Sequence, residues 1–343
     1  MLEVHRKPLQ SFLITYLSQQ QKRYTNVNGW SKDSLTRLSQ FATSGKLLRG
    51  SFVLFIAQAV GKKDLKDVLP VAAAIELTHS SLLIHDDIID RDALRRGLTT
   101  MHEQYTKVSP SPRQANHYGI SQAICVGDLG FFFTFDLLSH NEAATKIIPL
   151  VSQDISKTIF AQMEDIHFAM SASMPTQQAI EKMYLYKTAR YTFSLPFIAG
   201  AQMGNASPAL QKELASLGET LGLLFQLKDD ELGLFGDPAK TGKPVGSDIR
   251  EAKKTLHMHQ LLAKSSTAEK RTIARIVGNQ HSSPQEILTI QNLIKSKKID
   301  QLLQERMQLL AKQSIAKIGK LPFSEDNKVQ LMQLTHYLLK RDS

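Results

Sequence analysis

The chain has 343 residues, 42% of them hydrophobic and 22% charged, which excludes a disordered chain and leaves ample apolar material for a large core. Its one cysteine, Cys125, excludes an internal disulfide framework and any cysteine-based zinc site. The formal net charge of +10 favours anionic partners: nucleic acid, a membrane surface or phosphorylated metabolites.

Residues 1–30 read as an N-terminal helical segment. Glu3, His5, Arg6 and Lys7 precede an apolar run over 12–17 that is too short for a signal peptide, so the expected location is the cytoplasm. Gly45-Lys46-Leu47-Leu48-Arg49-Gly50 sets Lys46 and Arg49 three apart, on one face of a helical start. From Leu69 to Asp90 the apolar residues Val71, Ala74, Ile75, Leu77, Leu82, Ile84, Ile88 and Ile89 recur at mixed three- and four-residue steps, the period of a helix. Similar patterns run over about 116–138, 147–170, 175–203, 208–235, 288–318 and 324–339. Several are apolar almost all round, as expected of helices inside a bundle. Breaks fall at Gly61-Lys62-Lys63, 109–112, 171–175, 204–208, 236–246 and 278–284. No Asn-Gly or Asp-Gly turn separates alternating strands. Charges are expected to interrupt every apolar run before the ~18 residues of a membrane span. The pattern predicts one all-α domain over 1–343, a bundle of ten or more helices.

Two acidic clusters stand out. In His85-Asp86-Asp87-Ile88-Ile89-Asp90, Asp86 and Asp90 are four apart and share a helix face, with Cβ atoms roughly 5–6 Å apart. Like charges at that spacing on a core helix need cations. Oxygen ligands from one or two carboxylates, completed by water and substrate phosphates, are what Mg²⁺ prefers. The second cluster, Phe225-Gln226-Leu227-Lys228-Asp229-Asp230-Glu231, closes another apolar helix and leads into a glycine-rich loop. The two together suggest one cavity holding several Mg²⁺ ions and a polyphosphate.

Basic residues accompany both clusters. Arg95-Arg96 follow Asp90, and arginine can grip diphosphate oxygens bidentately. Lys187-Thr188 lies mid-helix among apolar residues, where an unpaired ammonium is expensive. Lys243 follows the second cluster. Residues 251–343 hold 16 Lys/Arg against 8 Asp/Glu, but no arginine-rich run with interleaved aromatics, so a solvated helical surface is favoured over nucleic-acid binding.

In this order the motifs resemble the trans-prenyl diphosphate synthases, the family of farnesyl and geranylgeranyl diphosphate synthases. Gly45-Lys46 through Arg49 resembles the family's G-K-x-x-R element. Glu76-Leu77-Thr78-His79 leads into Asp86-Asp87-x-x-Asp90, which resembles the first aspartate-rich motif. Arg95-Arg96-Gly97, Gly127-Asp128, Gln162 with Asp165, and Lys187-Thr188 match the segments that follow. Phe225-Gln226-x-x-Asp229-Asp230 resembles the second motif, and Gly242-Lys243-Pro244, Gly246, Asp248, Lys253 and Thr255 the stretch after it. Residues 337–341 resemble the family's ending. The second motif departs from D-D-x-x-D at Gly233, and the first element from its usual form at Ser44, Leu47 and Gly50.

The resemblance implies an isoprenoid-synthase bundle around an apolar cavity and a head-to-tail condensation of isopentenyl diphosphate with allylic diphosphates. It implies three Mg²⁺ held by Asp86, Asp90 and Asp229, with Asp87 and Asp230 in the metal-binding set as helpers. Arg95, Lys187, Thr188, Gln226, Lys243 and Lys253 are then the allylic diphosphate residues, with Asp86, Asp90, Lys187, Asp229 and Gln226 central to catalysis. Lys46, Arg49, His79 and Arg96 bind isopentenyl diphosphate. A homodimer is implied too, with no nucleic acid and no stable membrane insertion. Thr78, Ser81, Leu82 and Phe132 are the expected tunnel residues for chain length. At ~1.5 Å per residue Thr78 lies roughly 12 Å from Asp86 along the helix, and small residues there favour a C20 product. A farnesyl or longer polyprenyl synthase, a terpene cyclase and a silent partner subunit are the alternatives. A cyclase would normally carry a different second motif, and a silent subunit would lack an acidic or basic anchor.

Overall fold

A computed structural model of the chain describes residues 2–95, 97–139, 141–237 and 246–342. Among these, nearly everything regular is helix, which makes the architecture all-α. The described residues of Met1–Val151 and Pro196–Ser207 pack as one compact unit, and those of Ser152–Leu195 and Pro208–Ser343 as another.

The first unit carries α1 (Leu2–Arg23), α2 (Gly29–Thr43), α3 (Leu48–Val60) and α4 (Leu69–Asp90). A two-stranded antiparallel hairpin follows, β1 (Leu94–Arg95) and β2 (Leu98–Thr99), then α5 (Met101–Thr106), α6 (Ala115–Leu138) and α7 (Glu142–Thr145). The hairpin is an addition to the all-helical expectation. Its turn uses Gly97 at φ +76, a left-handed conformation that glycine adopts without a Cβ clash.

α4 starts with Pro70 in its first turn and stops at Arg91, which caps it in the left-handed conformation at φ 58. Its flank lies against α6, and Val71, Ala72, Ala73, Ala74 and Leu77 are completely buried. Small residues permit that closeness: a Cβ on Gly130 would overlap the Ser81 hydroxyl, and one on Gly127 the His85 ring. Thr78 donates to the Ala74 carbonyl at 2.9 Å and meets the Thr134 hydroxyl at 3.1 Å, so the buried hydroxyls satisfy one another.

α6 corrects one sequence expectation. Residues Pro112–Leu138 are long and apolar enough to cross a membrane by length and composition, with a mean hydropathy of 1.3 over the most apolar window. The charges there are too few to interrupt the run. Its inner residues Val126, Phe133 and Leu137 are buried, while Phe132 and Phe135 on the other side are exposed.

α8 (Ile148–Met170) carries the chain into the second unit, followed by α9 (Gln177–Tyr184) and a π-helical segment (Leu185–Ser194); α10 (Leu195–Met203) belongs almost wholly to the first. The single helix expected over 175–203 is present as one unbroken helical run over 177–203 whose middle ten residues are wound as π-helix. After α11 (Pro208–Phe235) come α12 (Ser247–Arg250), α13 (Leu256–Lys264) and α14 (Thr267–Ile276), then α15 (Pro284–Ser296), α16 (Ile299–Lys320) and α17 (Glu325–Lys340). The helix expected over 288–318 is two, parted where Lys298 takes φ 55. Ser283 starts α15 with a reciprocal capping box to Glu286, satisfying otherwise orphaned amides. α11 packs against the π-helical segment through glycines four apart: a Cβ on Gly218 would stand 2.6 Å from the Ser194 amide nitrogen, and one on Gly222 would overlap Ala189.

α13 buries His257, which is 1% exposed. Burial pushes its pKa from 6.5 down to about 4, against the upward pull of Glu231, Asp248 and Asp300. The unfolded chain takes up this proton near pH 6.5 and the folded one only near 4. The stability His257 contributes is therefore present above about pH 6.5 and is lost as pH falls through about 4. Denaturant titrations between pH 7 and 4 should show a shallower acid loss in His257→Gln than in the parent; parallel curves would contradict the assignment.

Candidate active site

The first unit places its acidic cluster on the last turn of α4. Asp86 and Asp90 are half-buried and Asp87 is fully buried. The turn of chain after α4 brings Arg95 back on β1, where its Nε donates to Asp87. Its second arm lies 3.4 Å from Asp92 and 3.7 Å from Asp86. Burial pushes the Asp87 carboxyl up to about 7 in spite of Arg95, and its second oxygen has no hydrogen-bond partner. Asp87 is thus turned into the unit toward Arg95. Beside this cluster His85 approaches Asp128 at 3.6 Å.

On the same unit Glu76 accepts the Gly50 amide at 2.8 Å, tying the Lys46–Arg49 element to α4. Arg49 and His79 are 8% and 9% exposed, and Lys46 is exposed. Lys46 does not share a helix face with Arg49 as expected: α3 begins only at Leu48, after Leu47 in the left-handed conformation at φ 49. Ser81 and Thr78 are buried and Leu82 is half-buried, but Phe132 stands 72% exposed, which goes against its expected place in the tunnel. Arg96 lies outside the described residues, as does Lys243.

In the second unit the π-helical segment carries Lys187 and Thr188. Lengthened helical turns of this kind occur frequently at functional sites. Lys187 donates to Asp165 of α8. The Thr188 hydroxyl donates to Gln226 Oε1 at 2.6 Å, and Gln226 Nε2 donates to Asp230 at 2.8 Å. Asp230 also accepts from the Tyr184 hydroxyl, which in turn accepts the Leu256 amide at 3.1 Å. Burial pushes both the Asp230 carboxyl and the Tyr184 phenol up. Asp229 points elsewhere. It accepts from Arg341, whose guanidinium also donates to the Phe225 carbonyl at 3.1 Å and stacks 4.0 Å over the Phe225 ring. Lys253 lies 3.4 Å from Asp248 and 2.9 Å from Glu251.

Each cluster therefore divides its labour. Asp86 and Asp90 in one unit, and Asp229 in the other, keep accessible surface, while Asp87 and Asp230 are buried among hydrogen-bonding neighbours. Among the described residues no group of three or more His, Cys, Asp and Glu is arranged to hold a metal alone. Tyr184 and the roles of Arg341 and Asp248 escaped the sequence reading. A tyrosine on an amphipathic helix looks like ordinary core until its hydroxyl is seen on Asp230.

An all-α bundle with two Asp-Asp clusters, each served by arginine or lysine, defines a class of diphosphate-handling helical enzymes. Residues 32–294 match the polyprenyl synthetase family. A short chain isoprenyl diphosphate synthase of Methanocaldococcus jannaschii is 34% identical over 246 residues, 71% of this chain and 70% of that one. A (2E,6E)-farnesyl diphosphate synthase of Mycobacterium tuberculosis is 28% identical over 92% of this chain and 84% of its own. The crystal structure of a geranylgeranyl pyrophosphate synthase from Corynebacterium glutamicum, complexed with isoprenyl diphosphate and magnesium, superposes with a TM-score of 0.92 at 28% identity, covering 99% of both chains. The chain belongs to the polyprenyl synthetase family and is a prenyl diphosphate synthase, a transferase.

Proposed function

We propose that the chain condenses isopentenyl diphosphate with allylic diphosphates up to a C20 product, using three Mg²⁺ ions. The observation that carries this reading is the division of the first cluster: Asp86 and Asp90 share a half-buried face while Arg95 is anchored beside them by buried Asp87. Mg²⁺ would be held by Asp86, Asp90 and Asp229, and when bound it supplies Lewis-acid stabilisation of the departing diphosphate. Arg95, Lys187 and Lys253 add fixed positive charge where negative charge develops. Thr188 and Gln226, hydrogen-bonded to each other and on to Asp230, would line the allylic site with fixed polar groups. Apolar helices keep water from the allylic cation. Lys46, Arg49, His79 and Arg96 would bind isopentenyl diphosphate, and the departed diphosphate would take the proton, so no further base is required. Lys243 joins the allylic set by the resemblance alone.

The C20 length is supported by Ala73, Ala74, Thr78 and Ser81 upstream of Asp86, none of them bulky, and by the exposure of Phe132 away from the core of its unit. A homodimer in the cytoplasm completes the reading. It is supported by the apolar side chains each unit leaves outside, Phe132 and Phe135 on α6 and Phe160 and Met163 on α8; sedimentation as a monomer at micromolar concentration would overturn it.

The deciding experiment is mass spectrometry of products from isopentenyl diphosphate with C5, C10 or C15 allylic starters, with and without Mg²⁺. A Mg²⁺-dependent C20 diphosphate is expected. A product that stops at C15 would overturn the chain length and keep the reaction. No elongation by folded protein would overturn the synthase reading.

A further inference from the structure

Arg190 lies within the π-helical segment, three residues after Lys187 and two after Thr188. The segment runs between α8 and α11, and the Arg190 guanidinium binds both. Toward α8 its Nη2 donates to the two Asp154 oxygens at 3.1 and 3.2 Å, and its Nε donates to one of them at 3.3 Å. Toward α11 its Nη1 donates to Glu219. The planar fork of arginine suits such a grip on two carboxylates. The Asp154 side chain is 2% exposed and that of Arg190 19%, so this contact is largely out of water. One turn further along α8 the buried Thr158 hydroxyl donates to the Tyr186 carbonyl at 3.0 Å, in the peptide that leads into Lys187. Glu219 stands seven residues before Gln226 on α11, roughly 10 Å of helix, so the clasp is set back from the acidic cluster.

We infer that Arg190 is a positioning residue for the allylic site: its clasp of Asp154 and Glu219 sets where the π-helical segment sits between α8 and α11, and so where Lys187 and Thr188 stand. The inference rests on reading Lys187 and Thr188 as allylic diphosphate residues. Those two side chains reach in different directions. Lys187 donates to Asp165 on α8 and Thr188 to Gln226 on α11, so a shift of the segment toward either helix loosens one of them. π-winding is rare, and a side chain anchored on both flanks opposes its relaxation. A lysine at 190 meets one carboxylate and not both, because its ammonium is a point charge without the fork. Displacing a binding group by about 1 Å can cost 10²-fold in rate without any change at the reacting atoms.

The test is steady-state kinetics of the full chain with each substrate varied in turn, alongside amide hydrogen exchange without substrate. Arg190→Lys and Glu219→Gln should each raise KM for a C10 allylic diphosphate and lower kcat, so that kcat/KM for it falls by about 10–10²-fold. KM for isopentenyl diphosphate should stay at the parent's value, since Lys46, Arg49 and His79 lie in the other unit. Exchange should quicken over 185–194 and not over α14, the mark of local rather than global opening. Lys157, 3.4 Å from Asp154, keeps that carboxylate partly paired in Arg190→Lys. If that variant still fails to fold, Glu219→Gln decides, at a side chain 33% exposed. Unchanged kinetics in the folded variants would overturn the inference. So would a fall in kcat with neither KM moved, which is what loss of folded enzyme alone produces. If Lys187→Met costs activity and neither Arg190→Lys nor Glu219→Gln does, only the inference falls. If Lys187→Met leaves the allylic kcat and KM unchanged, the reading of Lys187 falls first and takes the inference with it.

Discussion

Asp86→Asn should lower kcat by about 10²–10³-fold, the usual loss when one preorganised electrostatic contact to a developing charge is removed, while leaving the denaturation midpoint close to the parent's. The neighbouring Asp87→Asn should do the reverse in emphasis. Asp86 is half-buried and its ion pair with Arg95 is a long one at 3.7 Å, so little folding energy depends on it. Asp87 is fully buried and takes the Arg95 Nε directly. Removing its charge leaves an 18% exposed guanidinium with only the longer contacts to Asp92 and Asp86. Breaking a fully charged buried pair costs about 3–5 kcal/mol; burial pushes the Asp87 carboxyl up to about 7, so near neutral pH the pair is only part-ionised and the expected loss falls below that range. Urea titration and steady-state kinetics on the two variants separate the effects. Equal loss of stability in both would mean that the cluster is structural, and full activity in Asp86→Asn would remove Asp86 from the proposed metal site.

Gly222→Ala should destabilise the protein and slow it together. The new methyl would overlap Ala189 and stand 2.9 Å from its carbonyl oxygen, and backbone cannot swing aside as a side-chain tip can. Overpacking of this kind costs about 1–3 kcal/mol. The chain that must give way includes Thr188, next to Ala189, whose hydroxyl holds Gln226 at 2.6 Å. A shift there should appear in kcat before KM. The matched control is Gly319→Ala on α16, where a Cβ meets nothing within 4 Å; it should stabilise by roughly 0.5–1 kcal/mol through helix propensity alone. A neutral Gly222→Ala would show that α11 and the π-helical segment are free to move apart.

Much of this molecule can be read from its residues. The apolar spacing marks α4 and α11 to their ends, because Pro70 and the run up to Arg91 punctuate one helix and Pro208 and Gly236 the other. What escaped lacks a local signal. Lys298 divides two helices in the left-handed conformation without glycine, asparagine or proline to announce it. The hairpin turns on Gly97, and no Asn-Gly or Asp-Gly pair stands there in the sequence to announce it. A π-helical stretch has no apolar period that distinguishes it from an α-helix over ten residues. Asp86, Asp90, Lys187 and Asp229 are legible as motif positions. Their partners are not, because Tyr184 on Asp230 and Arg341 on Asp229 join residues 46 and 112 positions apart.

The π-helical segment gives the chain an unusual intolerance to changes of length. In an ordinary surface loop, losing one residue alters a connection and little else. Within Leu185–Ser194 a deletion that let the backbone relax to regular α-helix would turn every later side chain by ~100° relative to those before it. Lys187 would keep Asp165 or Phe193 would keep its place beside Phe225, but not both. Along these ten positions the spacing of residues is constrained as tightly as their identity, so substitutions should be survived far more often than insertions or deletions.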